Sequence, residues 1–201
     1  MFNDKYALTA AVLAGTKTQT RRIVPEKALS EWNDIDDGDE YSRSVYAASY
    51  EAKMRNFLLK YAPFKVGEVV AIAQSYFDIK TSANSYRPTI WEHYREWHKY
   101  LDSLPIDKGY YNKMFIRAEL MPHQIEITNI RVQRLQDISE DDCLAEGIMC
   151  INSRYTFIKK GKNPKFDTPR KAYAELIDRI SGKGTWEKNP YVFAYNFNLV
   201  K

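Results

Sequence analysis

The sequence predicts an α+β fold in which a small mixed or antiparallel β-barrel carries flanking helices. Two regions of two-residue alternation predict long strands, and capped helical segments lie between them. Two helical insertions are expected, at about residues 28–62 and 79–114. A chain of 201 residues fits one domain, residues 1–201, that buries enough apolar surface to fold without a disulfide or a metal.

The C-terminal strand is the clearest predicted element. From Tyr191 to Leu199, every second residue is aromatic or apolar. Successive side chains of a strand point to opposite faces, so this spacing predicts one continuous apolar face. We expect Phe193, Tyr195 and Phe197 to be buried together on that face.

A second long strand changes phase along its length. Ile125 and Ile127 alternate with polar residues, and Ile130 and Val132 then alternate in the opposite phase. One extra residue at 128–129 explains the slip, because a β-bulge inserts a residue into a strand that otherwise continues.

Turn and capping residues mark the other elements. Ser139 and Thr168 are predicted N-caps, and Pro169 takes the first helical position after the second of them. Helices are expected at about 6–14, 50–61, 90–101, 140–146 and 169–180. The apolar run 69–73 predicts a buried strand, and the acid-rich stretch 31–44 predicts a surface loop.

The second insertion is rich in aromatic residues. Apolar side chains recur there at helical spacing at Ile90, Trp91, Tyr94, Trp97 and Leu101. Insertions of this kind are often lids or binding loops. A helix that simply packs on the barrel wall is the alternative that the pattern leaves open.

Composition excludes several classes of site. A net charge of +4 is too small to define a nucleic-acid-binding protein, which needs a local basic face. Cys143 and Cys150 are expected to be reduced core residues, and the histidines (His93, His98 and His123) lack metal-ligand spacing. We therefore expect no metal or cofactor, and any catalysis would use Lys, Thr, Glu, Arg or Tyr.

No segment predicts export or membrane insertion. The first residues carry charge at Asp4 and Lys5 and do not resemble a signal peptide. No apolar stretch approaches the 18 residues of a membrane span. The protein is expected to be cytoplasmic, without a membrane partner.

The segment after the first predicted helix is the leading candidate site. Lys17, Thr18, Thr20, Arg21 and Arg22 follow one another there, and their ammonium, hydroxyl and guanidinium groups suit a phosphate or a polar base edge. A lysine beside other cations can also act as a base for a nearby hydroxyl. A basic surface loop without function is the alternative.

Two further candidates lie in the second half of the chain. Glu146 ends a capped helix, where the helix dipole disfavours an acid, so a cation is expected nearby. Four lysines occur without an acid in the loop 159–166, which suits a phosphate backbone or merely a solvated loop. These lysines are Lys159, Lys160, Lys162 and Lys165.

Several segments together resemble the ASCH superfamily, and most closely the ASCH-like proteins of bacterial prophages and phages. The similarity runs from about residue 7 to the C-terminus and is interrupted by the two insertions. It lies in VLAGTKTQTRR (12–22), KVGEV (65–69), IRVQRLQDISE (130–140), AEGI (145–148) and WEKNPYVF (186–193).

The resemblance implies a PUA-like barrel whose cleft binds RNA or a modified nucleobase. One small bacterial member is an amidohydrolase that deacylates N4-acetylcytidine, and another branch has ribonuclease activity. By this resemblance the amidohydrolase's lysine, threonine and glutamate fall at Lys17, Thr20 and Glu146, which should then converge on one cleft. Under the hypothesis of a binding module, Lys17, Arg21, Arg22 and Arg117 would face phosphate or base.

The chain departs from its relatives after the Val-Gly-Glu turn. Relatives commonly read Trp-Val-Arg-Glu-Thr-Trp there, whereas this chain reads AIAQSY at residues 71–76. Gln74 can still hydrogen-bond, and Tyr76 is expected to stack on a base. Three hypotheses remain: an RNA- or nucleobase-binding module, an amidohydrolase of an N-acylated pyrimidine nucleoside, and a phage-encoded protein whose insertion helix docks a host factor.

Overall fold

The strands form a curled antiparallel sheet that resembles half of a barrel. The computed structural model describes residues 2–36, 47–82, 91–159 and 161–200. The strands in these residues are β1 (Gln19–Ile23), β2 (Val69–Ala71), β3 (Gln124–Arg134), β4 (Met149–Ile151), β5 (Arg154–Thr156) and β6 (Tyr191–Leu199). The main sheet has the order β1-β6-β3-β2, and β4 and β5 form a separate antiparallel pair.

Helices pack around this sheet, which confirms the α+β class. The α-helices are α1 (Leu8–Leu13), α2 (Leu29–Asp36), α3 (Ala47–Tyr61), α4 (Tyr76–Ser82), α5 (Trp91–Ser103), α6 (Glu140–Ala145), α7 (Pro169–Ser181) and α8 (Thr185–Lys188). Short 3-10 helices cover Asp4–Tyr6, Glu26–Ala28, Lys113–Phe115, Ala118–Leu120 and Leu135–Asp137.

The centre of the sheet is β6, as its alternating pattern indicates. Phe193 and Tyr195 are 0% exposed and Phe197 is 2% exposed, which confirms the predicted apolar face. Val192 and Ala194, which point to the other face, are also buried. Both faces are covered because one core cluster contains Phe193 and the other contains Val192, where helix α7 packs.

The predicted β-bulge in β3 is confirmed. Ile127 pairs with Phe197, but the next pair joins Asn129 to Asn196, so β3 gains one residue relative to β6. This slip allows Ile125, Ile127 and Ile130 to join the same core cluster.

The helix caps predicted from sequence also form. The Ser139 hydroxyl accepts a hydrogen bond from the Asp142 N–H, and the Thr168 hydroxyl accepts one from the Lys171 N–H. Helix α3 ends at Tyr61, ahead of Pro63. These caps position α6 and α7 at one face of the sheet.

The prediction of a surface loop at residues 31–44 is wrong for the part of this segment that the structure describes. Helix α2 occupies Leu29–Asp36, and its Trp32 side chain is 1% exposed. The Trp32 ring lies 5.2 Å from Phe57 and 5.5 Å from Tyr191, centroid to centroid. The acidic composition of this segment did not predict the helix, which is stabilised by contacts with residues distant in sequence. Residues 37–44 lie outside the described residues.

Two predictions of burial need correction. The run 69–73 is an edge strand over Val69–Ala71 only, and Val69 is 54% exposed because β2 pairs on one side alone. Cys143 is buried as expected, whereas Cys150 is exposed because it lies in the short β4–β5 hairpin.

The second insertion has a small core of its own. Helix α5 confirms the predicted helix, with Leu101 packed against Tyr76, Ile79 and Met121. Exposed apolar side chains follow α5 at Ile106, Tyr111 and Met114, and Phe115 lies just beyond the insertion. Ile90 and the side chains of Trp91 and Tyr94 lie outside what the structure describes. Among the described residues, no helix is long and apolar enough to cross a membrane.

Candidate functional site

A tight turn after α1 directs Lys17 into the protein. Gly15 has a φ of +70°, a left-handed conformation that suits glycine, and the Lys17 N–H donates back to the Ala11 carbonyl at 3.0 Å. The Thr18 N–H then donates to the Ala145 carbonyl at 2.9 Å, which joins this turn to the end of α6. The Lys17 side chain is consequently only 2% exposed.

A glycine at the end of α6 leaves room for that side chain. Gly147 has a φ of +102°, and a Cβ atom built on it would lie 3.3 Å from Leu8 Cδ2 and 3.6 Å from Lys17 Cδ. A larger residue would meet both strain and crowding here. Gly147 therefore allows the two turns to approach each other around Lys17.

The Lys17 ammonium is fully hydrogen-bonded. Its Nζ atom donates to the Gln19 carbonyl at 2.6 Å, to the Glu146 carbonyl at 2.8 Å and to Glu146 Oε2 at 2.6 Å. Glu146 is the C-cap of α6, where carbonyl groups lack helical partners. The buried ammonium thus satisfies a helix-end carbonyl and supplies the cation that the position of Glu146 predicted.

A second cation completes the network. Arg21 Nη1 lies 3.0 Å from Glu146 Oε1, and Arg21 Nη2 lies 2.7 Å from Asp142 Oδ2. Gln19 donates through Nε2 to Asp142 Oδ1 at 2.6 Å. Asp142 and Glu146 are four residues apart and share one face of α6, so two cations offset two neighbouring carboxylates. Arg131 extends the network outward, 3.2 Å from Asp142.

Burial and charge act differently on the two cations. Burial lowers the pKa of Lys17, Glu146 opposes this effect, and Arg22 and Arg21 lower it further. Burial also disfavours the charged guanidinium of Arg21. Its acidic neighbours, with the largest contribution from Glu146, outweigh that effect, so the pKa of Arg21 is raised. Arg21 thus remains charged, and Lys17 is the group suited to exchange a proton.

These groups line a cavity of about 70 Å³. Thr20 borders it and is 7% exposed. The structure thus brings Lys17, Thr20 and Glu146 to one cavity, although 129 positions separate Lys17 from Glu146. The polar lining also includes Asn3, Arg21, Arg22, Tyr173 and Ser181, and the apolar lining consists of Phe2, Leu8, Leu176, Ile177 and Ile180.

The cavity follows the free edge of β1. The Thr18 carbonyl accepts a hydrogen bond from the Phe197 N–H, and the Val24 N–H donates to the Tyr191 carbonyl. Even-numbered residues of β1 therefore direct their backbone N–H and carbonyl groups toward β6. Odd-numbered residues direct theirs away from the sheet. Gln19 uses its carbonyl there to bind Lys17, and the Arg21 N–H faces the same edge.

Two buried donors at the cavity have no partner among the described residues, namely the Tyr173 hydroxyl and Arg21 Nε. Burial, with a smaller contribution from Glu146, raises the pKa of Tyr173 well above its ordinary value, so the phenol keeps its proton. The Tyr173 ring also contacts the Arg21 guanidinium, whose Cζ lies 6.0 Å from the ring centroid.

Three residues of this network and cavity were not predicted from the sequence, namely Gln19, Asp142 and Tyr173. The spacing of Asp142 and Glu146 on a capped helix was a usable signal, because it places two acids on one face. Gln19 likewise precedes Arg21 by two positions, the spacing of one strand face. Tyr173 gave no separate signal, since its position also fits the core stripe of α7.

Three predicted binding residues do not reach the cavity. Tyr76 is 0% exposed and packs inside the insertion core, so the prediction that it stacks on a base is wrong. Its hydroxyl accepts a hydrogen bond from the Arg117 N–H at 2.9 Å. The Arg117 side chain is half exposed and 3.7 Å from Asp107. Gln74 is buried, and neither it nor Arg117 lines the cavity.

The lysine loop also lies outside the cavity lining. Lys162 and Lys165 are exposed and Lys159 is half-buried, whereas Lys160 is outside the described residues. Thr18 is exposed and does not line the cavity, although its backbone helps to build the turn. Arg22 does line it.

The chemistry available at the cavity is that of an amine, a hydroxyl, a phenol, guanidiniums and carboxylates. Among the described residues, no group of three His, Cys, Asp or Glu side chains could hold a metal ion. The arrangement can accept and donate protons and can bind groups rich in oxygen acceptors.

Comparison of the chain with protein-family models, with curated proteins and with solved structures finds no match in any of the three.

Proposed function

We propose that the cavity is the active site of an amidohydrolase that acts on an N-acylated pyrimidine nucleoside. One observation carries the proposal: the buried Lys17 amine lies 2.6 Å from the Glu146 carboxylate, and both residues line the same cavity as Thr20. The substrate class rests on the resemblance to the ASCH superfamily, and with it we propose that the half-barrel belongs to a PUA-like fold.

Thr20 would be the nucleophile. Its oxygen attacks the amide carbon of the substrate while Lys17 accepts the hydroxyl proton. The carbon–nitrogen bond then breaks as Lys17 returns the proton to the leaving nitrogen, and an acyl ester remains on Thr20. Water hydrolyses that ester to release the carboxylic acid and restore Thr20.

Lys17 must present an electron pair to act as the base. Burial lowers the pKa of Lys17, which favours the neutral amine. Its three hydrogen bonds hold the ammonium in place, so substrate binding must break one of them. Loss of the bond to the Gln19 carbonyl would keep both bonds to Glu146. Glu146 thus positions the base, and Arg21 offsets the charge of Glu146.

The size of the cavity limits what enters it. Sites for small molecules usually measure about 300–1,000 Å³, whereas this cavity measures about 70 Å³. An acyl amide fits that space, and the base and sugar would remain at the mouth, near Arg22.

Deacylation of N4-acetylcytidine tests the proposal. We expect the wild-type protein to release cytidine and acetate, Thr20→Ala to lose activity by at least about 100-fold, and Thr20→Ser, which keeps a hydroxyl, to retain part of it. Lys17→Met should lose activity at a temperature where circular dichroism shows it folded. Full activity in either Thr20→Ala or Lys17→Met would exclude this mechanism.

A second candidate function is binding of RNA or a modified nucleobase without catalysis. The exposure of Lys162 and Lys165 favours it, because solvated lysines can contact phosphates. Under this alternative, wild-type protein binds short RNA but does not deacylate the nucleoside.

A further inference from the structure

We propose that Tyr173 and Arg21 bind the carbonyl oxygen of the substrate and stabilise the oxyanion formed when Thr20 attacks. This inference rests on the proposed function and extends it, because it assigns an oxygen-acceptor subsite and a catalytic role to a tyrosine outside the ASCH-like motifs.

The hydrogen-bonding groups of the cavity support an acceptor as the ligand. The Glu146 carboxylate is already engaged by Lys17 and Arg21. In the described residues, the fully buried polar side-chain atoms left without partners at this cavity are the Tyr173 hydroxyl and Arg21 Nε, and both can donate. A buried donor without a partner costs free energy, so a ligand that supplies an acceptor is stabilised there.

The backbone adds a third donor. The Arg21 N–H faces the free edge of β1, as does the Gln19 carbonyl that binds Lys17. Thr20 and Arg21 lie on opposite faces of β1, since Thr20 pairs with Tyr195 and Arg21 with Ala194. At the strand edge, a carbonyl group can therefore meet the Thr20 hydroxyl from one side and the donors of Arg21 and Tyr173 from the other.

The state of these donors suits an oxyanion. The Tyr173 side chain is 2% exposed, and its raised pKa keeps it a donor at neutral pH. Arg21 stays charged because Glu146 and Asp142 bind its terminal nitrogens, which also fixes the direction of Nε. Donors held in place in a buried site stabilise developing charge most effectively.

Tyr173→Phe separates this role from a structural one. The variant keeps the ring contacts with Arg21 and with Trp186, whose centroid lies 6.3 Å away. We expect kcat for N4-acetylcytidine to fall by about 10²–10³-fold and KM to rise by a smaller factor, because the oxyanion is bound more strongly than the ground-state carbonyl. The melting temperature should stay the same or rise, because an unpaired buried hydroxyl is removed.

Tyr195→Phe is the matched control. Tyr195 is equally buried, but it lies in β6 and does not line the cavity, so its loss should leave kcat unchanged. Wild-type kcat in Tyr173→Phe would overturn the inference while leaving the proposed function intact. A fall in both kcat and melting temperature would also overturn it, since that pattern indicates a structural hydroxyl.

Acetate binding tests the subsite even if the proposed function fails. Acetate carries the same acceptor atoms as the substrate carbonyl. The melting temperature of the wild-type protein should therefore be higher in acetate than in chloride at the same concentration, because acetate binds the folded state. The melting temperature of Tyr173→Phe should be the same in the two salts. If the wild-type protein shows no deacylation but passes this test, the function is wrong and the subsite stands. Equal acetate and chloride effects in the wild-type protein would refute the subsite.

Discussion

Lysines in two regions of this protein have opposite environments. Lys17 is buried in the cavity with every ammonium proton donated to an acceptor, whereas Lys162 and Lys165 are exposed in the lysine loop, residues 159–166. In the sequence the two regions are equally basic, with Lys17, Arg21 and Arg22 within six residues and four lysines within the eight residues of the lysine loop. Charge density along the chain therefore does not separate the two regions, and a lysine becomes a chemical group only when burial and a carboxylate surround it.

The largest expected difference between the two regions is in stability. Lys17→Met should lower the free energy of unfolding by about 3–5 kcal/mol, because it breaks a buried ion pair and leaves the Glu146 carbonyl unsatisfied. Lys162→Met should have no measurable effect. Urea denaturation of both variants measures this, and equal stability would show that the buried network contributes little.

Glycines offer a matched pair in the same two regions. Gly147 and Gly161 both have positive φ, at +102° and +88°, but only at Gly147 would a Cβ meet neighbouring atoms within 4 Å. Gly147→Ala should therefore cost more than Gly161→Ala, by an additional ~1–2 kcal/mol for overpacking. Equal losses in urea denaturation would mean that backbone strain alone matters and that the cavity wall yields.

The effect of pH should distinguish the buried lysine. The pKa of Lys17 is lower in the folded protein than its ordinary value of 10.5. Between these two pKa values the unfolded chain binds more protons than the folded protein does. In that pH range, the contribution of Lys17 to the free energy of unfolding therefore rises with pH. Above about pH 10 the tyrosines reverse the trend, since burial raises the pKa of Tyr195 to about 12. Denaturation at several pH values should show a smaller alkaline increase in Lys17→Met than in wild type; identical profiles would contradict the lowered pKa.

The same titration predicts the pH dependence of activity. If the neutral Lys17 amine is the base, kcat/KM for N4-acetylcytidine should rise with pH and reach a plateau once Lys17 loses its proton. A rate that falls as pH rises through the neutral range would instead indicate that the ammonium form is required.

The smallest expected effect concerns the lysine loop. If RNA is a partner, alanine at Lys159, Lys160, Lys162 and Lys165 together should reduce the slope of log affinity against log salt by up to about 0.7 for each phosphate that these lysines neutralise in the wild-type protein. A binding titration at several salt concentrations measures that slope. An unchanged slope would leave the loop a solvated segment and would sharpen the contrast with Lys17.

Local patterns in the sequence determined much of the secondary structure. The alternation of Tyr191–Leu199, the slip at 128–129 and the caps at Ser139 and Thr168 depend on neighbouring residues, and the structure has each of them. Helix α2 was missed because its stability comes from Trp32 packing on Phe57 and Tyr191, which are remote in sequence.

The site divides in the same way. The prediction that Lys17, Thr20 and Glu146 share one cleft came from the resemblance to the ASCH superfamily, and the helix-end position of Glu146 predicted a nearby cation. The burial of Tyr76 and the position of Tyr173 at the cavity, with an unpaired hydroxyl, became known from the packing of the chain. Hydrogen bonding and burial of a side chain depend on which elements pack together, and aromatic residues occur both in cores and in sites.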